Sequence, residues 1–291
     1  MKICGFSFVR NGVKLDYPFL EAIRSIMPLC DEVIVAAGNS DDDTLEKLRT
    51  LGPKITIIET VWDDSLKEGG QVLAAETDKA FLAIPGKYDW CIYIQGDEAI
   101  HEKYFPVIRE SMQTHLHDKK VDGFLLHYIH FFGSYDYVGV NSKWYRHEIR
   151  IVRNDKNIFS YRDAQGFRKK PNEKLSVKLI DAYVYHYGWV HKPEALKAKE
   201  VEKVRFYSKD EEAVHGHASF MDRYTYENAT EPVRLFNDTH PAPMQETVNN
   251  QNWEYLPDPK LKYASFKDWF KRTMLKWTGW FPGEYKNYKI I

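Results

Sequence analysis

WCIYIQGDEAIHE, residues 90–102, is the stretch whose reading decides the fold. Trp90, Cys91, Ile92, Tyr93 and Ile94 form a near-continuous apolar run of aromatic and β-branched side chains, the pattern of a strand buried on both faces in a mostly parallel sheet. Gln95, Gly96, Asp97 and Glu98 then place a flexible backbone position and two adjacent carboxylates where that strand leaves the core. Open α/β sheets bind their ligands outside such carboxyl ends. Asp97 is therefore a candidate metal ligand, with Glu98 as a second. A hard divalent cation held by one or two protein carboxylates completes its shell with substrate phosphates, so Mn²⁺ or Mg²⁺ and a diphosphate-bearing substrate are the natural partners. The competing reading is a solvated polar turn ahead of the helix expected from Glu102.

Working towards the N-terminus, residues 3–9 read as a first strand that stops at the polar turn Arg10, Asn11, Gly12. Phe19, Ala22, Ile23 and Ile26 repeat at helical spacing, with Asp16 as the expected cap and Pro18 in the first turn. Residues 32–37 (EVIVAA) form a second strand, followed by the polar turn GNSDDDT, which contains Ser40, Asp42, Asp43 and Thr44. Residues 54–59 are a third strand, and a helix marked by Leu73, Thr77, Ala80, Phe81 and Ile84 is entered through Gly69 and Gly70. Four strands alternating with helices imply right-handed βαβ units whose polar turns gather along one sheet edge.

Downstream of a helix over about 102–117 the pattern turns β-rich without intervening helices, at 122–128, 131–140 and 147–152. This predicts an antiparallel extension of the sheet. Arg150 and Arg153 in RHEIRIVRN are an odd number of residues apart, so they face opposite sides of a strand and only one reaches the site. Residues 161–170 (YRDAQGFRKK) read as a loop carrying Asp163, and 177–189 (VKLIDAYVYHYGW) as a further strand bearing Asp181 and His186. Pro193 opens a Lys-rich helix ending near Lys209. The division expected is an α/β domain over 1–190, with a mixed, mostly parallel central sheet and flanking helices, and a helical and irregular extension over 191–291.

The chain has 291 residues, enough for a large core, and its 41 basic residues nearly balance 42 acidic ones, so no global field favours nucleic acid. Cys4, Cys30 and Cys91 are odd in number, widely spaced and set in apolar surroundings, which predicts reduced thiols and a cytoplasmic protein. No stretch approaches the ~20 apolar residues of a membrane span.

FVRNG (8–12), VIVAAGNSDDDT, the Gly-entered helix and IQGDE, followed by RHEIRIVRN, YRDAQGFRK and YHYGWV, form an ordered set over about 1–190. That set resembles the bacterial family 2 glycosyltransferases with the A-type nucleotide-sugar-binding, Rossmann-like fold. The resemblance implies a metal-dependent hexosyltransferase-like enzyme of cell-surface polysaccharide synthesis. It would move a sugar, with inversion, from a nucleoside-diphosphate sugar to a glycan or lipid-linked glycan. It also implies that Arg10, Asn11, Ser40, Asp42, Gln95 and Arg150 contact the donor. Two positions depart from the family pattern. Ala37 stands where the family carries an Asp against the nucleoside, and Gln95 stands at the first position of Asp-x-Asp.

Such chemistry needs a cation on the leaving diphosphate, a base for the acceptor hydroxyl and a pocket that excludes water. Asp163 is the choice for the base, with Asp181 and Glu173 as rivals. His186, flanked by Tyr185 and Tyr187 that face the other way, is either a further metal ligand or a half-buried structural His, and the resemblance favours the ligand. His127 and His130 face opposite ways on one strand and are not read as a metal pair. Two other functions stay open: a nucleotidyltransferase, which releases pyrophosphate, and a catalytically silent carbohydrate-binding protein of the same fold. In SFKDWFKRTMLKWTGWF, Phe266, Trp269, Phe270, Met274 and Trp277 share a helical face among Lys267, Lys271, Arg272 and Lys276. That face suits either peripheral contact with the inner face of the membrane or packing on the catalytic domain.

Overall fold

A computed structural model of the chain describes residues 1–66, 68–207, 217, 221, 226 and 231–291. The N-terminal part alternates as the apolar runs require: β1 (Ile3–Val9), α1 (Phe19–Ile26), β2 (Glu32–Gly38), α2 (Thr44–Arg49), β3 (Ile55–Thr60), α3 (Gln71–Leu82) and β4 (Trp90–Tyr93). These four strands pair in parallel in the order β3-β2-β1-β4. β1 and β4 are buried almost throughout, as the unbroken apolar runs predict. Asp16 does not cap α1. It lies in a left-handed turn (φ 54) and Pro18 takes the cap position, leaving the first helical N–H groups without a side-chain acceptor. Gly70, in the left-handed conformation, caps α3.

The rest of the sheet is built from β5 (Glu98–Ile100), β6 (Gly123–Phe132), β7 (Ser134–Gly139), β8 (His147–Arg153), β9 (Ile158–Tyr161), β10 (Gly166–Lys169) and β11 (Glu173–Trp189), with α4 (Phe105–Thr114) between β5 and β6. β8 runs antiparallel to both β4 and β6. The expected antiparallel extension over β6, β7 and β8 is found, with β6 antiparallel to both β7 and β8, and β11 then adds parallel to β6. The segment expected to break between 128 and 131 is one strand, since the chain first turns at Gly133 (φ 76).

The extension after residue 190 opens with α5 (Pro193–Tyr207). The end of this helix expected near Lys209 falls outside the described residues. Beyond it come β12 (Val233–Leu235), α6 (Gln245–Asn249), α7 (Phe266–Thr278) and β13 (Tyr288–Ile290). β12 pairs with β7, and β13 pairs in parallel with β11, so the end of the chain completes the sheet. Two apolar layers flank the parallel half. One gathers Phe19, Ile23, Ile26 and Trp90, and the other Phe6, Phe81, Tyr93 and Phe167. Cys4, Cys30 and Cys91 are buried free thiols.

Candidate active site

A cleft of about 610 Å³ lies where β1 and β4 end, as the strand order requires for an open α/β sheet. Phe8, Val9 and Arg10 from the end of β1 and Gln95, Gly96 and Asp97 from the end of β4 form its floor. Trp62, Trp144, Tyr145 and Trp189 wall it, and the Arg10 guanidinium lies 5.3 Å from the centre of the Trp62 ring.

Asp97 and His186 meet in this cleft, with Asp97 Oδ2 3.7 Å from His186 Nε2. The space between them is held open by Gly188. A Cβ there would stand 2.6 Å from Asp97 Oδ2 and 2.7 Å from His186 Nε2, which no side chain tolerates. The hydrogen bonds behind His186 fix its tautomer. His130 Nε2 is 2.7 Å from the Tyr145 carbonyl oxygen and must donate to it, so His130 Nδ1 is an acceptor. His186 Nδ1, 3.1 Å away, therefore donates, and His186 Nε2 presents a lone pair to the cleft. Both rings are neutral, because burial lowers His130 to about 3 and His186 to about 4. Burial works to raise the Asp97 carboxyl, but the Lys199 ammonium beside it outweighs burial and the group falls to about 2.

A carboxylate oxygen and a neutral imidazole nitrogen facing a space that Gly188 keeps clear fit a divalent cation whose other positions are filled by substrate oxygens. Among the described residues no cluster of three His, Cys, Asp or Glu side chains lies close enough to hold a metal ion. Lys199 competes for the same oxygen. Its Nζ lies 3.3 Å from Asp97 Oδ2 and also donates to the Gly188 carbonyl at 2.6 Å.

Glu98, expected as a metal ligand, is instead the buried partner of Arg150. It is 0 % exposed and Arg150 is 1 % exposed. Arg150 Nε donates to Oε2 at 2.9 Å and Nη2 to Oε1 at 2.8 Å, while the Tyr128 hydroxyl (2.7 Å) and the Gln95 N–H (3.1 Å) complete the carboxylate. A carboxylate bonded in this way has no oxygen left for a cation. Arg150, whose Nη1 also donates to the Ile149 carbonyl, still lines the cleft. Arg153 faces away from the site and donates to carbonyls of residues 115, 116, 118 and 121. Gln95 lines the cleft, and its Nε2 donates to the Ala164 carbonyl at 3.3 Å, a bond that a carboxylate at this position could not donate. That contact ties the end of β4 to the turn between β9 and β10, where Asp163 sits between two left-handed residues, Arg162 and Ala164.

Arg10 and Asp163 line the cleft, whereas Asn11, Ser40 and Asp42 do not. The Asn11 N–H donates to Ser40 Oγ at 2.9 Å, and Asn11 Oδ1 accepts from the Asp41 N–H at 3.0 Å. Asp42 accepts from the Lys14 and Thr44 N–H groups. These three residues bind two sheet-edge turns to each other beside the cleft rather than lining it. Asp181 and Glu173, the rivals for the base, are exposed along β11 and away from the cleft. His130 and His127 do face apart, the latter stacking on Tyr183.

His130 was weighed in the sequence only as a metal partner of His127, and Lys199, Trp62 and Trp144 were missed there. Only Lys199 carried a signal, as one of several lysines on the helix opened by Pro193, and nothing singled it out from solvated neighbours.

No family model matches the chain, and no curated protein matches it. Among solved structures, S. aureus TarS is similar at 12 % identity and a TM-score of 0.42, over 76 % of this chain and 43 % of that one. This chain therefore spans less than half the length of that TarS chain. TarS 1–349 in complex with UDP is similar at 13 % identity and a TM-score of 0.42, over 78 % of this chain and 74 % of that one. Glucosyl-3-phosphoglycerate synthase from Mycobacterium tuberculosis, in complex with Mn²⁺, UDP and phosphoglyceric acid, is similar at 19 % identity and a TM-score of 0.29, over 44 % of this chain and 43 % of that one.

Proposed function

We propose that the protein is a glycosyltransferase that moves a sugar from a nucleoside diphosphate to an acceptor hydroxyl, with inversion, in the synthesis of a cell-surface glycan. The observation that carries this reading is the pairing of Asp97 with the lone-pair nitrogen of His186 across the space kept by Gly188, at the carboxyl edge of the parallel strands. Asp97 and His186 would hold a divalent cation there. When bound, that cation neutralises charge on the departing diphosphate. Arg10, in cation–π contact with Trp62, adds a positive group at the end of β1, and the aromatic walls supply faces for a base and a sugar ring. Asp163, on a turn held by Gln95, takes the proton of the acceptor hydroxyl. The motif order across 1–190 supports the same reading.

The Lys199 ammonium on Asp97 favours a second reading, a catalytically silent carbohydrate-binding protein, because that carboxylate already has a cationic partner. A panel of sugar nucleotides, scored by thermal shift with and without Mn²⁺ or Mg²⁺, tests the proposal. The expected result is a rise in Tm with one donor that needs the metal and disappears in Asp97→Asn. No donor-dependent shift under any condition, alongside a shift with glycans alone, would favour the silent protein.

A further inference from the structure

The helix α7 is built inside out. Its buried side is polar: Asp268, 2 % exposed, accepts from the Ser142 N–H at 2.7 Å and the Ala264 N–H at 3.0 Å. Its rings face outward, with Phe266 and Trp277 each 78 % exposed and Trp269 and Phe270 41 % and 44 % exposed. At about 100° per residue, Phe266, Phe270 and Trp277 fall within roughly 40° of one line, and Lys267 and Lys276 stand about 80–100° to either side. Gly279 (φ 70) ends the helix, and Trp280, 60 % exposed, continues the apolar surface. Packing of this face on the catalytic domain, one of the two expectations from sequence, is therefore not found among the described residues. Over 260–280 the chain carries Lys260, Lys262, Lys267, Lys271, Arg272 and Lys276 against the single buried Asp268, in a protein whose net charge is −1.

We propose that this face of α7 docks in the plane of an anionic lipid bilayer. Exposed rings with lysines on both flanks place apolar surface at the headgroup boundary and ammonium groups among lipid phosphates. The charge is local, six basic side chains against one buried acid over 260–280 in a chain whose totals balance. The backbone bond from Ser142 to Asp268 anchors the helix to the loop whose Lys143, Trp144 and Tyr145 line the cleft, so a docked α7 holds the cleft near the membrane. The inference rests on α7 alone and does not depend on sugar transfer.

Sedimentation of the full chain with vesicles tests it. The chain is expected to pellet with phosphatidylcholine vesicles containing phosphatidylglycerol, not with phosphatidylcholine alone, and to be released by salt. Lys267→Gln with Lys276→Gln should weaken binding roughly 25-fold, at about fivefold per charge. Phe266→Ser with Trp277→Ser should abolish it with Tm unchanged, because both rings are mostly exposed. Quenching of tryptophan fluorescence in the unaltered chain by brominated lipid gives a readout that needs no variant. A chain that stays in the supernatant with phosphatidylglycerol vesicles at low salt and is not quenched overturns the proposal. Salt-insensitive binding to phosphatidylcholine alone also overturns it, as does self-association lost in Trp277→Ser, which would make a second copy the occupant.

Discussion

Replacing Glu98 by Gln separates a structural carboxylate from a metal ligand. Glu98 and Arg150 are fully buried and joined by two charge-assisted bonds of 2.8 and 2.9 Å. The amide keeps the shape but leaves the Arg150 guanidinium as a buried charge without its counter-ion, and it turns one acceptor into a donor that faces another donor. Breaking a buried pair from one side costs about 3–5 kcal/mol. For a chain of this size that corresponds to a fall in Tm of roughly 6–15 °C. The assay is urea and thermal unfolding in chelator, where metal binding plays no part. Arg150→Met in the same background should recover most of the loss, because removing both charges eliminates the uncompensated one, and a double-mutant cycle reads that coupling directly. If Glu98→Gln is as stable as the parent in chelator and loses only metal-dependent behaviour, Glu98 belongs to the cation after all and the assignment here is wrong.

Asp163→Asn should lower turnover at least a hundredfold with donor affinity nearly unchanged, since deprotonation of the acceptor belongs to the transition state; equal losses in both would make Asp163 a positioning group. Lys199→Met should tighten Mn²⁺ binding roughly tenfold or more, measured by titration calorimetry, because it frees the Asp97 oxygen that the ammonium now holds at 3.3 Å; unchanged or weaker binding would refute the competition. Burial first, with help from Glu98 and Asp163 and against Arg150, raises the Glu148 carboxyl from 4.5 to about 8. The folded protein thus keeps a proton that the unfolded chain releases near pH 4.5, so this group makes stability fall as pH rises from about 4.5 to 8, by a few kcal/mol on the order of 1.4 per unit. Denaturation midpoints of Glu148→Gln should be flatter across that window, and an identical slope would contradict the assignment.

The parallel half of the fold was legible because its strands are buried on both faces and read as unbroken apolar runs. Trp90 to Ile94 gave the strand, and the abrupt change at Gln95 placed the cleft. Asp97, His186 and Asp163, which all line the cleft, stood out for the same reason, each being a polar residue where regular structure stops or alternates. Glu98 was misread because a carboxylate beside a site and a carboxylate buried under it look alike in sequence, and 52 residues separate it from its partner Arg150. The roles of Asn11, Ser40 and Asp42 depended on one turn meeting another about 30 residues away, a contact that local spacing does not encode. Lys199 lay further still, 102 residues from Asp97. The α7 stripe was visible in sequence, but which side of the helix faced the protein was decided by Asp268, whose carboxylate binds a loop N–H contributed by Ser142.

The most direct test of sugar transfer is the identity of the phosphate species released when the protein is incubated with sugar nucleotides, with nucleoside triphosphates and sugar phosphates, and with a glycan acceptor, in Mn²⁺ or Mg²⁺. The account predicts a nucleoside diphosphate released from one sugar nucleotide in step with acceptor glycosylation, and no release in Asp97→Asn. Release of pyrophosphate from a nucleoside triphosphate would make the protein a nucleotidyltransferase. The absence of any released species, with glycan binding intact, would leave a cleft of this architecture that performs no transfer.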